Sequence, residues 1–380
     1  MHDGEQQRQL MRVGILAPDL SDRHGWGMYS LSLVRQLQQI DNLELTIISA
    51  HNSPDHADID QHRLLPIVNP APRLLSLRLL RASLPVRGRV ADCDIIHTTI
   101  EPYAPLATLI AGTRPTVVTV HGSYVHLPRI RRYPVGAWYR RAFQRSTLMT
   151  VSHYTARVAR TIIPDAQTQV IPNGVDHARF AELPPLPHPP TRPTILTAGG
   201  VKQRKGTLPL IHALAQVRAQ MPDVQLVVIG TLSAEPAYVV QVQQAIAAHD
   251  LHDHVQLLGF VDDATLLGWY GAADVFAMPS VNAGWKFEGF GLVHLEANAA
   301  GLPVIGADDC GAEDAIEHGV TGLLISQANM QAELPAALLS LLRDPARARQ
   351  MGQVGRVRAR AYTWARVARQ VHAAYRTALA

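Results

Sequence analysis

Residues 194–229 read TILTAGGVKQRKGTLPLIHALAQVRAQMPDVQLVVI. Thr194–Ala198 is a short apolar run with β-branched residues, the pattern of a buried strand. Two glycines and three cations follow in GGVKQRKG, Gly199–Gly206. Leu208–Gln220 carries apolar residues at helical spacing, and Gln225–Ile229 is a second apolar run. Strand, Gly-rich loop, helix and strand make one unit, whose crossover joins parallel strands with a right-handed turn.

The same unit recurs on both sides. Downstream, strands are predicted at Val255–Leu258, Val275–Met278, Val304–Gly306 and Gly322–Ile325. Upstream, they are predicted at Arg12–Ala17, Leu43–Ser49, Asp94–Thr98, Thr116–His121, Leu148–Ser152 and Gln169–Ile171. Predicted helices include Trp26–Gln39, Tyr103–Ala111, Gly136–Gln144 and Tyr154–Ile162. Such alternation describes doubly wound α/β domains with buried parallel sheets. A chain of 380 residues exceeds one ordinary core, so two domains are expected, facing a cleft. The boundary is read at Leu183–Pro193, LPPLPHPPTRP, with six prolines in eleven residues. That stretch neither pairs in a sheet nor continues a helix, so it reads as a semi-rigid linker between domains 1–182 and 194–362.

Composition narrows the class. The chain is 47% apolar and 17% charged, which describes a globular protein. No run of eighteen apolar residues appears. The opening MHDGEQQRQLM lacks an apolar core, so no signal peptide is read and a cytoplasmic protein is expected. Two distant cysteines, Cys93 and Cys310, exclude a disulfide framework and a CxxC zinc module. Residues 1–182 sum to +5, residues 183–360 to −4 and residues 361–380 to +3. Of 35 basic residues only Lys202, Lys205 and Lys286 are lysines, all near Gly-rich turns. A lysine kept in an Arg-rich chain suits a compact ammonium at a phosphate.

The strongest chemical signal is PSVNAGWKFEGFGLVHLEANAAGLPVIG, beginning at Pro279. A strand ends near Pro279 and a helix is expected from near Phe290. First-turn amides of Gly289, Phe290 and Gly291 lack intrahelical partners and suit an anion or a hydroxyl. Glu288 precedes that helix and Glu296 lies eight residues on, among Leu292, Val293, Ala299 and Ala300. A carboxylate in such company needs a donor, which ribose hydroxyls would supply. The alternatives are a helix cap for Glu288 and an internal salt bridge for Glu296. Lys202, Arg204 and Lys205 form a cationic loop at a helix start, an electrostatic seat for a diphosphate or else a solvated turn. The spacing is not that of a Walker loop. In DRHGWGMY, Gly25 and Gly27 open a helix after the first strand, which suits close approach of a ligand to the backbone. His121, in VVTVHG, ends a strand and faces either a ligand or a structural partner.

These motifs together resemble the retaining GT-B glycosyltransferases of family 4, the "glycosyl transferases group 1" type. The resemblance spans nearly the whole chain and is most specific at EGFGLVHLE, Glu288 to Glu296. HGWGMY, VTVHG, VIPNGVDHARF and YTWARVARQ add to it. It implies two Rossmann-like domains, with residues 363–380 crossing back to the first, acceptor-side domain. It implies that Glu296 binds the ribose, and that Lys205, Arg204 and Lys202 meet the diphosphate. Glu288, Phe290, Gly291 and Leu292 would contact the donor sugar, His121 would contact it from the first domain, and Gly25 and Gly27 would admit the diphosphate. The family usually has an arginine where this chain has Gly200, and a double glycine where it has His24-Gly25. The implied reaction moves a hexose from a UDP- or GDP-linked donor to a glycan or lipid-linked acceptor. The implied setting is surface polysaccharide or glycolipid assembly. Neither a cofactor nor a metal is expected. An epimerase of the same architecture and a non-catalytic nucleotide-sugar binder are the competing readings.

Two basic stretches remain. Arg73–Arg89 holds five arginines and Arg129–Arg145 holds six, without an acid. Interleaved with Leu, Trp and Tyr, they suit an anionic membrane surface or an anionic acceptor, or are plain solvated surface. No recognition motif for nucleic acid accompanies them.

Overall fold

The computed structural model describes residues 10–68 and 74–380. Arg73 and the polar opening at 1–9 lie outside the described residues. The chain divides into two units: residues up to Asn173 with Trp364–Ala380, and Gly174–Thr363.

The first unit is built on seven parallel strands. They are β1 (Met11–Leu16), β2 (Leu43–Ala50), β3 (Gln61–Leu65), β4 (Ile95–Thr98), β5 (Thr116–Val120), β6 (Thr147–Thr150) and β7 (Thr168–Val170). Their order is β3-β2-β1-β4-β5-β6-β7. The second unit has six parallel strands: β8 (Thr194–Ala198), β9 (Gln225–Ile229), β10 (Val255–Gly259), β11 (Val275–Ala277), β12 (Val304–Ala307) and β13 (Gly322–Ile325). Their order is β10-β9-β8-β11-β12-β13. Both orders reverse beside the first strand, between β1 and β4 and between β8 and β11. Ligands of doubly wound sheets bind outside the strand ends at such a reversal.

Central strands are apolar throughout because helices cover both faces. Val13, Ile15, Ile95 and Val117 bury one face of the first sheet beneath Gly25–Leu37 and the last helix, Trp364–Leu379. Leu16, Ile48 and Ile96 bury the other face with Leu79 and Val86 of the helix Leu75–Arg89. In the second unit, Ile195, Leu226, Val275 and Ile305 share a core with Leu210, Leu214 and Leu338.

Two sequence expectations need correction. The proline-rich stretch is not the joint between the units; it lies inside the second. Leu183 and Leu186 pack on the helix Asp263–Ala272, where Gly271 and Gly268 leave room. A β-carbon on Gly268 would lie 2.7 Å from Leu186 Cδ2, and one on Gly271 would lie 3.1 Å from Leu183 Cβ. Prolines here line a packed segment, and the division falls earlier, at Asn173/Gly174. Residues 174–182 therefore belong to the second unit. The other correction is β3, QHRLL, which was not predicted. As an edge strand it is only partly buried and carries no apolar run.

The last helix is held in the first unit by chemistry as well as packing. The Tyr375 hydroxyl is hydrogen-bonded to His97 Nδ1 at 2.6 Å, and the Thr119 hydroxyl to His97 Nε2 at 2.9 Å. Burial pushes His97 down to about 3, so it is neutral and satisfied at both nitrogens. Tyr375→Phe leaves a buried ring nitrogen of His97 without its partner and should cost about 1–3 kcal/mol. Melting should fall by a few degrees. An unchanged melting temperature would show that this bond does not anchor the helix.

Candidate functional site

Two loops leave the strand ends at the reversal of the second sheet. After β8, the chain runs through Gly199–Lys202, a 3-10 turn at Gln203–Lys205 and Gly206 into the helix Thr207–Arg218. After β11, it runs from Met278 to Gly291 and into the helix Leu292–Ala300. Gly206 has φ +73°, and a β-carbon on it would sit 1.8 Å from the Pro279 carbonyl oxygen. Only glycine lets the loops meet there. The amide of Val281 donates to the Arg204 carbonyl at 3.0 Å, and the amide of Gly311 donates to the Glu288 carbonyl at 2.8 Å.

This contact brings Arg204, Lys205 and Glu288 together. Glu288 Oε2 lies 2.5 Å from Arg204 Nη1 and 2.7 Å from Lys205 Nζ. Burial alone would raise the Glu288 pKa, but the two cations prevail and hold it well below the carboxylate range. Lys205 is lowered by burial, against the attraction of Glu288. Lys286 Nζ pairs with Glu235 Oε1 at 2.8 Å, and Glu235 Oε2 accepts the Gln203 amide at 2.8 Å. Lys202 has no ion pair among the described residues. Its ammonium is lowered by burial and then by Arg204. Lys202, Arg204, Lys205 and Lys286 thus face two carboxylates, Glu235 and Glu288. The excess is two positive charges at the end of a parallel sheet.

The helix after Glu288 starts at Leu292, later than predicted, because Gly291 takes the left-handed conformation at its cap. Phe290 and Gly291 precede it. The Phe290 ring is buried, while Leu292 and Val293 are half-buried at the first turn. The first-turn amides therefore belong to Leu292, Val293 and His294, in place of Gly289, Phe290 and Gly291. His294 was not singled out from sequence. It is fully buried, and burial brings it down to about 4.

Glu296 is buried as expected, but the protein already gives it donors. The Tyr270 hydroxyl donates to its Oε2 at 3.3 Å, and Arg179 Nη1 lies 3.8 Å from its Oε1. Arg179 also pairs with Asp263 through two nitrogens. Burial raises the Glu296 carboxyl, with Arg179 opposing. Arg179, Tyr270 and Glu235 escaped the sequence reading. Arg179 had been assigned to the wrong domain, and its partners lie far along the chain.

In the first unit, Gly25 opens the helix Gly25–Leu37, and no atom stands within 4 Å of where its β-carbon would be. Gly27 is different. Its missing side chain makes room for protein, since a β-carbon would lie 2.5 Å from Ser21 O and 2.9 Å from Asp19 O. His24 caps the helix, accepting from the Gly27 amide at Nδ1 and meeting Asp19 through Nε2 at 2.6 Å.

His121 follows β5. Its Nε2 donates to the Thr99 carbonyl at 2.8 Å, and its ring meets the Tyr29 ring edge-on at 4.6 Å. Burial brings it down to about 4, so it is a neutral imidazole with its proton on Nε2. Glu101, fully buried, accepts the amides of His121 and Gly122 at 2.8 and 3.2 Å. Glu101 also escaped the sequence reading, although a carboxylate inside IIHTTIEPYAPLATLI is a visible anomaly.

Among the described residues, no three His, Cys, Asp or Glu side chains gather as a metal site. No described helix is long and apolar enough to cross a membrane.

Burial raises Glu101 to about 7. A carboxyl raised on folding favours the folded state fully below its unfolded value, and this is lost as pH rises through the folded value. Wild type should therefore lose stability relative to Glu101→Gln between about pH 4.5 and 7, by on the order of 3 kcal/mol. Chemical denaturation of both proteins across that range measures the difference. A flat difference would mean that Glu101 is not held as an acid.

The model for glycosyl transferases group 1 matches residues 179–358, and that for glycosyltransferase family 4 matches residues 24–179. A GDP-mannose-dependent alpha-(1-6)-phosphatidylinositol monomannoside mannosyltransferase of Mycobacterium tuberculosis is 33% identical over 290 residues, 71% of this chain and 73% of that protein. The phosphatidyl-myo-inositol mannosyltransferase of Mycobacterium leprae is 28% identical over 384 residues, 97% of each. Among solved structures, sucrose-phosphate synthase from Thermosynechococcus elongatus has a TM-score of 0.78 at 22% identity, over 97% of this chain and 98% of that one. A glycosyltransferase from Rickettsia africae has a TM-score of 0.75 at 18% identity, over 97% and 98%. These structural likenesses show the fold, which is GT-B.

Proposed function

This chain belongs to the glycosyltransferases of group 1 and family 4, and on that premise we propose that it transfers a hexosyl group from a nucleotide diphosphate sugar with retention. The observation that carries this reading is the cationic excess of Lys202, Arg204, Lys205 and Lys286 over Glu235 and Glu288 at the sheet reversal. A diphosphate carries the opposite charge and fits that excess. As the sugar leaves, charge builds on the diphosphate, and donors already held in place by Glu288 need no rearrangement to meet it. Lys202, without an ion pair among the described residues, contributes a further positive charge.

Glu296, oriented by Tyr270 and Arg179, accepts from the ribose hydroxyls. Phe290, Gly291 and Leu292 line the donor sugar beside Glu288. His121 presents a neutral ring whose Nδ1 accepts from a sugar hydroxyl. Same-face attack by the acceptor hydroxyl passes its proton to the leaving phosphate. The cations take the place of a metal ion, and no cofactor enters the reaction.

We take GDP-mannose as the donor and a lipid-linked, inositol-bearing glycan as the acceptor. Relatives with those names support this choice. The setting is the inner face of the cytoplasmic membrane.

Ligand binding raises stability by mass action, so a melting screen of GDP-, UDP- and ADP-sugars tests the donor. GDP-mannose should raise the melting temperature most, and nucleotide release should need an acceptor and survive EDTA. No response to any nucleotide sugar would reject the reading. Release without acceptor would favour an epimerase. Glu296→Ala should weaken GDP binding by about 1.5–3 kcal/mol in calorimetry, because a charged acceptor is lost. Unchanged affinity would reject the ribose role.

A further inference from the structure

Three side chains of the second unit surround the buried Glu296, and their hydrogen bonds are divided unevenly. Arg179 lies on the short turn Ala178–Phe180. The Phe180 ring is buried and meets the Tyr270 ring edge-on at 5.7 Å. Arg356 holds the same turn from the helix Pro345–Ala359, donating to the carbonyls of Phe180 and Ala181 at 3.4 and 3.2 Å. Arg179 and Tyr270 are thereby brought to Glu296 from fixed elements.

Arg179 nevertheless gives its hydrogen bonds elsewhere. Its Nε and Nη2 donate to the two carboxylate oxygens of Asp263, the first residue of the helix Asp263–Ala272. Its Nη1 is turned to Glu296, 3.8 Å from Oε1, too far for a hydrogen bond but near enough for its charge to act. Tyr270 donates to Oε2 at 3.3 Å, and among the described residues nothing hydrogen-bonds Oε1. The carboxylate thus has a counter-charge while one oxygen keeps its lone pairs. A guanidinium free of Asp263 would close on Glu296 as a bidentate fork and fill both oxygens.

We propose that Arg179 and Asp263 are positioning residues for ribose recognition: Arg179 keeps Glu296 a carboxylate, and Asp263 keeps Arg179 off the oxygen that the ribose needs. The inference rests on the ribose role proposed for Glu296 and assigns residues that act through it. The groups facing Glu296 agree with it. Burial raises its carboxyl first of all; Arg179 opposes this, then the Tyr270 hydrogen bond, while Asp263 adds to the rise and Lys205 opposes it. Without Arg179 the carboxyl takes up its proton at higher pH, and the ribose then meets a neutral acid. Hydrogen bonds to a neutral group are weaker than those to a charged one.

Calorimetry of the full chain with GDP and with 2′-deoxy-GDP, between about pH 6 and 8.5, tests the proposal (UDP and 2′-deoxy-UDP serve if the wild type binds uridine nucleotides). The ratio of the two affinities isolates the ribose, because phosphate ionisation is common to both ligands. Wild type should prefer the ribonucleotide by about ten- to a hundredfold, the range of one hydrogen bond to a charged group. In Arg179→Gln the preference should shrink to a few-fold at the acid end and recover as pH rises, with a midpoint above that of wild type. Arg179→Lys should bring the midpoint back towards wild type, since it restores a charge without the fork. Asp263→Ala should lower the preference at every pH, because the freed Arg179 closes on Glu296. In the Arg179→Gln background the same change should cause no further loss. Asp263 is exposed, so its substitution leaves the core intact.

An identical pH profile of the preference in wild type and Arg179→Gln would overturn the role of Arg179. A loss from Asp263→Ala that persists in Arg179→Gln would mean that Asp263 acts on the nucleotide itself, and would overturn its role. Wild type that binds neither nucleotide, or binds the ribo and deoxy forms equally, would overturn the ribose reading of Glu296 and this inference with it. The two failures are therefore told apart by the wild type alone.

Discussion

A buried carboxylate between two cations organises the second unit. Glu288 can sit between Arg204 and Lys205 only because Gly206 has no side chain where the Pro279 carbonyl passes. Burying three charged groups is costly unless each finds a partner. Here each does, and the pairing locks two loops from neighbouring strands into one frame. Removing either cation would leave a buried carboxylate underpaired. Removing Glu288 would leave two cations repelling each other. The arrangement is thus a brace, and it is also a set of donors already aimed at the end of the sheet.

The remaining features attach to that frame. Glu296 projects from the helix that the Glu288 loop leads into, and Arg179 and Tyr270 fix its orientation from other elements. Glu235 ties down Lys286 and the Gln203 amide, so the cationic loop is held at both ends. Among the described residues Lys202 has no ion-pair partner. In the first unit a comparable economy appears. Glu101 holds the His121 amide, Thr99 holds the imidazole proton, and Tyr29 covers the ring. Both sites follow strand ends, where side chains and amides leave the sheet with few neighbours to satisfy them.

Much of this was legible in the residues. All six strands of the second sheet announce themselves as apolar runs: the central ones because they are buried on both faces, and the edge strand β10, VQLLG, although it is only partly buried. Strand β3 did not, because an edge strand such as QHRLL keeps polar residues in solvent. The proline-rich stretch misled for a physical reason. Prolines forbid sheet and helix, but they do not forbid packing, and Gly268 and Gly271 provide the groove. That shift of boundary hid Arg179, whose partner Asp263 lies 84 residues away. The pairing of Glu288 with Lys205 joins two motifs that were each visible. Only the crossing of the loops shows that they neutralise one another. The interleaving of Leu and Arg over Leu75–Arg89 was visible in the residues. Which leucines face inward depends on the core beneath.

The account turns on the contact of Gly206 with Pro279. Calorimetry of GDP or UDP, whichever the wild type binds, against Gly206→Ala tests it most directly. A β-carbon there must push the loops apart and separate Arg204 and Lys205 from Glu288. Affinity for the nucleoside diphosphate should fall more than tenfold, with a much smaller loss for the monophosphate. Wild-type affinity for the diphosphate in Gly206→Ala would contradict the account.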